Sequence, residues 1–317
     1  MTRMKRFCKQ IFGRGTNWFL VALLSIALVL TACSPGEQTP PQYFFDDLGR
    51  LVAINGTPQR ITSLAPSITE ILFALGLGDS VVAVTDQCDY PPEALEKEKV
   101  GGYATPDIEK IVALNSDLVL VAYGTPMDVI NNMVGLGLTV FGIKSTDLDD
   151  VLNDIRRIGE ITDKEMEAQA LTSEMASEIK AVTDVTSELE NRPRVFYIIW
   201  GGEGSALWTV GSGTFIHELI EKGGGVNICQ NITGYAEISI EYVLARDPEI
   251  IITSSWPGIY EWAMNSTELE VTAARQSGSV YTCDDNLVQR PGPRLVEGLE
   301  WFAHFIHPEI FEEPEGS

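Results

Sequence analysis

Gly102-Tyr103-Ala104-Thr105-Pro106-Asp107-Ile108-Glu109-Lys110-Ile111-Val112-Ala113-Leu114 runs on through Asn115, Ser116 and Asp117 into Leu118-Val119-Leu120-Val121. Shifted by 132 residues, with no gap, stands Gly234-Tyr235-Ala236-Glu237-Ile238-Ser239-Ile240-Glu241-Tyr242-Val243-Leu244-Ala245-Arg246, followed by Asp247, Pro248, Glu249 and Ile250-Ile251-Ile252-Thr253. Six of the twenty positions are identical and seven more keep their chemical type. Each copy reads as a loop aromatic, a short helix and an apolar run of strand length. Asp107 and Ser239 are N-cap residues by type and place, which sets Glu109 and Glu241 at the second helical position. A carboxylate there complements the helix dipole by about 0.3–1 kcal/mol, so either Glu alone needs no further role. The pair implies more, because a Tyr stands six residues upstream in both copies. Two facing lobes would put Tyr103 and Tyr235 on opposite walls of one cleft, with one acid on each outer shoulder.

Around these copies, short β-rich runs alternate with helical patterns, the mark of βαβ units and a mostly parallel sheet. Strands are predicted at Ile61–Ala65, Val81–Val84, Leu118–Ala122 and Thr139–Ile143, and helices at Ile68–Leu75, Ile108–Leu114, Val129–Leu136 and Leu148–Ile161. A polar stretch follows, in which Ala168, Leu171, Met175, Ile179, Val182 and Leu189 form one stripe at helical spacing, with Thr186 in its gap. No Gly or Pro interrupts it before Pro193. The alternation then restarts, with strands at Val195–Ile199 and Ile250–Thr253 and helices at Phe215–Glu221, Val243–Ala245 and Leu295–Ile306. The expected fold is α/β: two Rossmann-like lobes joined by one long helix, with a ligand cleft between them. Residues 60–163 form the first lobe, 164–191 the link and 192–313 the second lobe.

The start of the chain has a different character. Residues 1–32 hold Arg3, Lys5, Arg6, Lys9 and Arg14 and no acid, so a net charge of −23 conceals 17 basic against 45 acidic residues, or −28, in the remainder. Such a surface repels phosphate backbones and excludes nucleic acid as a partner. The apolar run from Trp18 to Leu30 is short of the roughly 20 residues a membrane span needs and reads as a secretory signal. Leu30-Thr31-Ala32-Cys33 resembles a bacterial lipobox, which would make 1–32 a lipoprotein signal peptide, Cys33 the lipidated mature N-terminus and 33–59 a tether and leading segment. The expected location is extracytoplasmic, with the chain anchored to a membrane as a monomer. Cys88, Cys229 and Cys283 are too scattered for a metal cluster; outside the cytoplasm they allow one disulfide, with no pair favoured.

The chain resembles the class III solute-binding proteins of ABC importers, which serve cobalamin, siderophores, haem and some metals. The resemblance runs from Arg60 to about Pro308. It is carried by Arg60-Ile61-Thr62-Ser63-Leu64-Ala65-Pro66-Ser67-Ile68-Thr69-Glu70, Leu72-Phe73-Ala74-Leu75-Gly76, Asp89-Tyr90-Pro91-Pro92, Ile108 to Leu114 and Arg290-Pro291-Gly292-Pro293-Arg294. It implies an ABC permease dimer with its ATPase subunits as partner, docked through one surface Glu per lobe. The matching residues are Glu109 and Glu241, a kind of charge that sets register and speeds encounter. Ser67-Ile68-Thr69-Glu70 reads as a capping box, which gives Glu70 a structural role.

Asp89-Tyr90-Pro91-Pro92 and the loop after Val100-Gly101-Gly102 look most like the cobalamin-binding branch. That resemblance implies a cleft lined by Gln87, Tyr103, Trp208, Tyr235, Asn286 and Arg290, with Gln87 where a well-known cobalamin binder has an aromatic. A corrin, broad and flat with amide side chains, suits aromatic walls and a few hydrogen-bonding groups. The expected cargo is cobalamin or another corrinoid; a ferric siderophore or haem is the alternative. No cofactor and no metal site is expected, since the histidines, His217, His304 and His307, all come late in the chain. An enzyme is the remote alternative, because no nucleophile elbow, His-Glu-x-x-His or phosphate loop occurs.

Overall fold

Apolar runs without polar alternation suit strands covered on both faces, and Leu118 to Val121 are fully buried. The computed structural model describes residues 40–202, 204 and 206–314; the leader and Cys33 lie outside them. The described chain opens on an antiparallel hairpin, β1 (Gln42–Phe45) and β2 (Leu51–Ile54). The first lobe is a parallel sheet of β3 (Ile61–Ser63), β4 (Val81–Val84), β5 (Glu98–Lys99), β8 (Leu118–Ala122) and β9 (Val140–Ile143), in the order β5-β4-β3-β8-β9. Between β5 and β8 a tight hairpin, β6 (Gly101–Gly102) and β7 (Thr105–Pro106), carries Tyr103 at its turn. Helices α1 (Pro66–Ala74), α2 (Ile108–Ala113) and α3 (Met127–Gly135) connect these strands, and α4 (Leu148–Ile161) follows β9.

The long helix α5 (Glu165–Thr186) leads to the second lobe. There β10 (Arg194–Ile198), β12 (Val226–Asn227), β14 (Ile250–Ser254) and β15 (Val280–Cys283) form a parallel sheet in the order β12-β10-β14-β15, while β11 (Leu207–Val210) and β13 (Tyr235–Ile238) pair antiparallel beside it. Helices α6 (Phe215–Lys222), α7 (Ile240–Leu244), α8 (Ile259–Asn265), α9 (Ala273–Ser277), α10 (Asp285–Val288) and α11 (Leu295–Ile306) complete it.

The repeat survives as a structural duplication. Asp107 and Ser239 cap α2 and α7 by accepting the backbone N–H of Lys110 and Tyr242. After the helices, Asn115 and Asp247 occupy the left-handed region at φ 52° and 44°, where Asn and Asp are the commonest residues with a side chain. The correspondence extends beyond the sequence match. Arg60 Nε donates to Leu114 O at 2.8 Å and Arg194 Nε to Arg246 O at 3.0 Å. The N–H groups of the same two arginines donate to Asp117 and Glu249.

In α5 the buried side chains are Ala168, Thr172, Met175, Val182 and Thr186, the face expected from the stripe, which ends before Leu189. The helix packs on α4, α6 and α11. A Cβ on Gly159 of α4 would stand 2.5 Å from the Ala168 Cβ, so only glycine lets the two backbones meet here. The core here is continuous: Leu118 and Leu120 of the first sheet, Met175 and Val182 of α5, and Val195, Tyr197 and Ile250 of the second belong to one buried cluster. Because interiors are close-packed, moving one lobe against the other must shear this core.

The expected capping box is absent. Pro66 stands at the first position of α1 and Ala65 is its N-cap, with no side-chain cap. Proline fixes the helix start one residue ahead of Ser67, so Ser67 lies inside the first turn and there is no capping box. Glu70 is instead buried, at 3% exposure, and engaged by the second lobe.

Candidate functional site

Ligands of open α/β sheets bind outside the carboxyl ends of the strands, and there the lobes leave a cavity of about 590 Å³. From the first lobe it receives Ala65–Ser67 after β3, Tyr103 from the β6–β7 turn, Tyr123 after β8, and Lys144, Ser145 and Thr146 after β9. Facing them are Gly213, Thr214 and Phe215 at the start of α6, Gly234 and Tyr235 at β13, and Gln289, Arg290 and Pro291 after α10. Tyr103 and Tyr235, 50% and 53% exposed, therefore share one cleft from two lobes. Burial still pushes the Tyr235 phenol above its ordinary range. Among the described residues, no Asp or Glu lines this cavity.

At the rim, a charge cluster ties the lobes together. Arg290 Nη1 lies 2.6 Å from Asp89 Oδ1 and 3.3 Å from Glu70 Oε1. Arg294 donates to both Glu70 oxygens, Nε to Oε2 at 2.9 Å and Nη2 to Oε1 at 2.6 Å, and its guanidinium lies 3.9 Å from the centre of the Tyr90 ring. Two parallel donors on one carboxylate are the strong geometry for this pair. Hydrogen bonding from Arg290 holds the Asp89 carboxyl below its usual range. Elsewhere Leu148 N–H donates across to Glu218 Oε2 at 2.7 Å.

Of the six residues expected to line the cleft, Tyr103, Tyr235 and Arg290 come together; Gln87, Trp208 and Asn286 lie outside the lining. Gln87 is exposed in the turn after β4 and meets Arg290 only through its carbonyl oxygen. Trp208, 39% exposed, pairs with Glu237 in the β11–β13 ladder, while Val210 pairs with Tyr235. Alternation along a strand puts Trp208 and Tyr235 on one sheet face, with Trp208 further along it. Asn286 sits in the first turn of α10, one turn ahead of Gln289, which does line the cleft.

Glu109 and Glu241 both stand at the second position of their helices, exposed, one on each lobe. Neither lines the cleft. Glu241 borders a separate hollow of about 430 Å³ with Glu237 and Trp262. Backbone and Ser239 hydrogen bonds hold its carboxyl below the usual range. Cys88, Cys229 and Cys283 are buried free thiols. His304 and His307 are held by the carbonyl oxygens of Phe311 and Gly224.

Tyr123, Lys144, Gln289 and Phe215 are among the lining residues that sequence reasoning missed. The signal existed for two of them: Tyr123 and Lys144 directly follow strands whose ends the sequence marked correctly.

The two-lobed α/β fold has counterparts among known proteins. Residues 61–287 match the family described as periplasmic binding protein. The chain belongs to that family. As a periplasmic binding protein it is the substrate-binding component of an ABC importer, it acts outside the cytoplasm with permease and ATPase components, and it is not an enzyme. It is 31% identical over 309 residues to an uncharacterized ABC transporter substrate-binding lipoprotein of Bacillus subtilis, across 92% of this chain and 97% of the relative. The crystal structure of a periplasmic vitamin B12 binding protein of Vibrio cholerae superposes with a TM-score of 0.69 at 30% identity, covering 79% of this chain and 97% of that one. A periplasmic heme-binding protein from Roseiflexus, solved in apo form, gives a TM-score of 0.70 at 26% identity, covering 79% and 98%.

Proposed function

We propose that this chain, held at the membrane by a lipid on Cys33, captures a corrinoid such as cobalamin between its lobes and delivers it to a permease dimer that grips Glu109 and Glu241. The observation that carries the reading is the cleft itself. Half-exposed Tyr103 and Tyr235 flank it from opposite lobes, and none of the described residues lining it is an acid. Flat apolar macrocycles suit such aromatic walls, while Gln289, Ser67 and Arg290 supply hydrogen-bonding groups for peripheral amides. Likeness to the Vibrio cholerae vitamin B12 binding protein supports the choice. Residues 60–163 and 192–313 serve as lobes on the link 164–191, whose continuous core restricts closure to a small hinge or twist.

The test is titration of the mature chain with cyanocobalamin, cobinamide, haem and a ferric siderophore, followed by visible absorbance. Saturation by cyanocobalamin at one equivalent supports the reading; binding of haem or the siderophore alone rejects it. Haem is the second reading, favoured by the phenols of Tyr103, Tyr123 and Tyr235 around one cleft, since a phenolate can ligate haem iron.

A further inference from the structure

Lys144 is the first residue after β9 and lines the cleft. The ammonium lies 4.8 Å from the centre of the Tyr123 ring and has no carboxylate partner among the described residues. The other cation of the lining, Arg290, is already met by Asp89 and Glu70. In a chain of net charge −23, the described residues of the cleft thus present one uncompensated positive charge and no acid.

The nearby acids are occupied otherwise. Lys144 N–H donates to Asp47 Oδ2 at 3.0 Å, and Asp47 also pairs with Arg157. Ser145 Oγ donates to Asp154 Oδ2 at 2.6 Å. Thr146 gives both its N–H and its hydroxyl to Asp150 Oδ2, at 2.9 and 2.6 Å. Three carboxylates hold three successive residues by backbone and hydroxyl, which fixes the loop and leaves the ammonium free. The hydroxyls of Ser145 and Thr146 are spent as donors, so recognition of a negative group falls to Lys144, a compact point charge. The Tyr123 ring face supports the ammonium from one side.

We infer that Lys144 is a specificity residue that takes a singly charged oxyanion, a phosphodiester or a carboxylate, carried by the ligand in the cleft. The inference rests on the macrocycle reading above. Cobalamin carries one phosphodiester in its nucleotide loop, cobinamide lacks it, and haem carries propionates. The experiment titrates wild type, Lys144→Gln and Lys144→Arg with cyanocobalamin and dicyanocobinamide at low and high salt. Lys144→Gln is expected to weaken cyanocobalamin about 5–10-fold and cobinamide less than about 2-fold. Lys144→Arg should retain most of the preference, which salt should shrink in wild type. Equal affinities of wild type and Lys144→Gln for cyanocobalamin, or equal losses for both corrinoids, overturn the inference. If wild type binds neither corrinoid, the corrinoid reading falls and haem against its dimethyl ester decides Lys144. Weaker binding of the ester, with the difference lost in Lys144→Gln, supports the role; equal binding, or no binding of any of these probes, overturns it.

Discussion

Replacing Glu70 by Gln keeps the side chain's size and removes the charge that holds two arginines of the second lobe. Glu70 is 3% exposed, and the side chains of Arg290 and Arg294 are each only 15% exposed. Removing one partner of a buried ion pair costs about 3–5 kcal/mol, mostly because the survivor stays buried without its counter-ion. Here the lower end applies. Asp89 still pairs with Arg290, the Tyr90 ring still covers Arg294, and Gln keeps one acceptor. A loss of about 3 kcal/mol at about 2–4 °C per kcal/mol lowers the Tm by about 6–12 °C. Calorimetry on the mature chain measures it, with urea unfolding as a second estimate. Adding Arg294→Met to Glu70→Gln should cost at least about 1 kcal/mol less than Arg294→Met in wild type, since the pair is already broken. A Tm drop under about 2 °C, or strict additivity, would show that the cluster does not join the lobes in solution and refute the reasoning.

Charge reversal at both shoulders, Glu109→Arg with Glu241→Arg, should abolish uptake in cells while ligand affinity stays within about 2-fold of wild type, because neither residue lines the cleft; equal loss of affinity would reject the docking role. Burial pushes the Asp154 carboxyl up to about 7, with the neighbouring Asp47 adding to the shift. The native state therefore keeps a proton that the unfolded chain releases near pH 4, and stability should fall as pH rises from about 4 to about 7, by on the order of 3 kcal/mol. Urea unfolding across that window checks it: Asp154→Asn should flatten the profile, and an unchanged slope would contradict the assignment.

Where local rules and tertiary structure agree, the sequence was readable. Asp107 and Ser239 cap their helices, and the apolar runs at Leu118 and Ile250 became central strands. Both rest on short-range pattern. The lobe-to-lobe charge cluster did not show, because Glu70 and Arg294 are 224 positions apart and the Ser67–Glu70 spacing offered a local explanation that Pro66 forestalls. Trp208 and Asn286 miss the lining for a related reason: register along β11 and one turn of α10 decide which neighbour faces the cleft. The β11–β13 pairing escaped the reading altogether. Tyr123 and Lys144 needed only the rule that strand ends make sites, applied to strands already marked.

The most direct test is a crystal structure of the mature chain grown with cyanocobalamin. The corrin should lie between Tyr103 and Tyr235, touching both lobes. Density in the hollow beside Glu241, or against one lobe alone, would contradict the account.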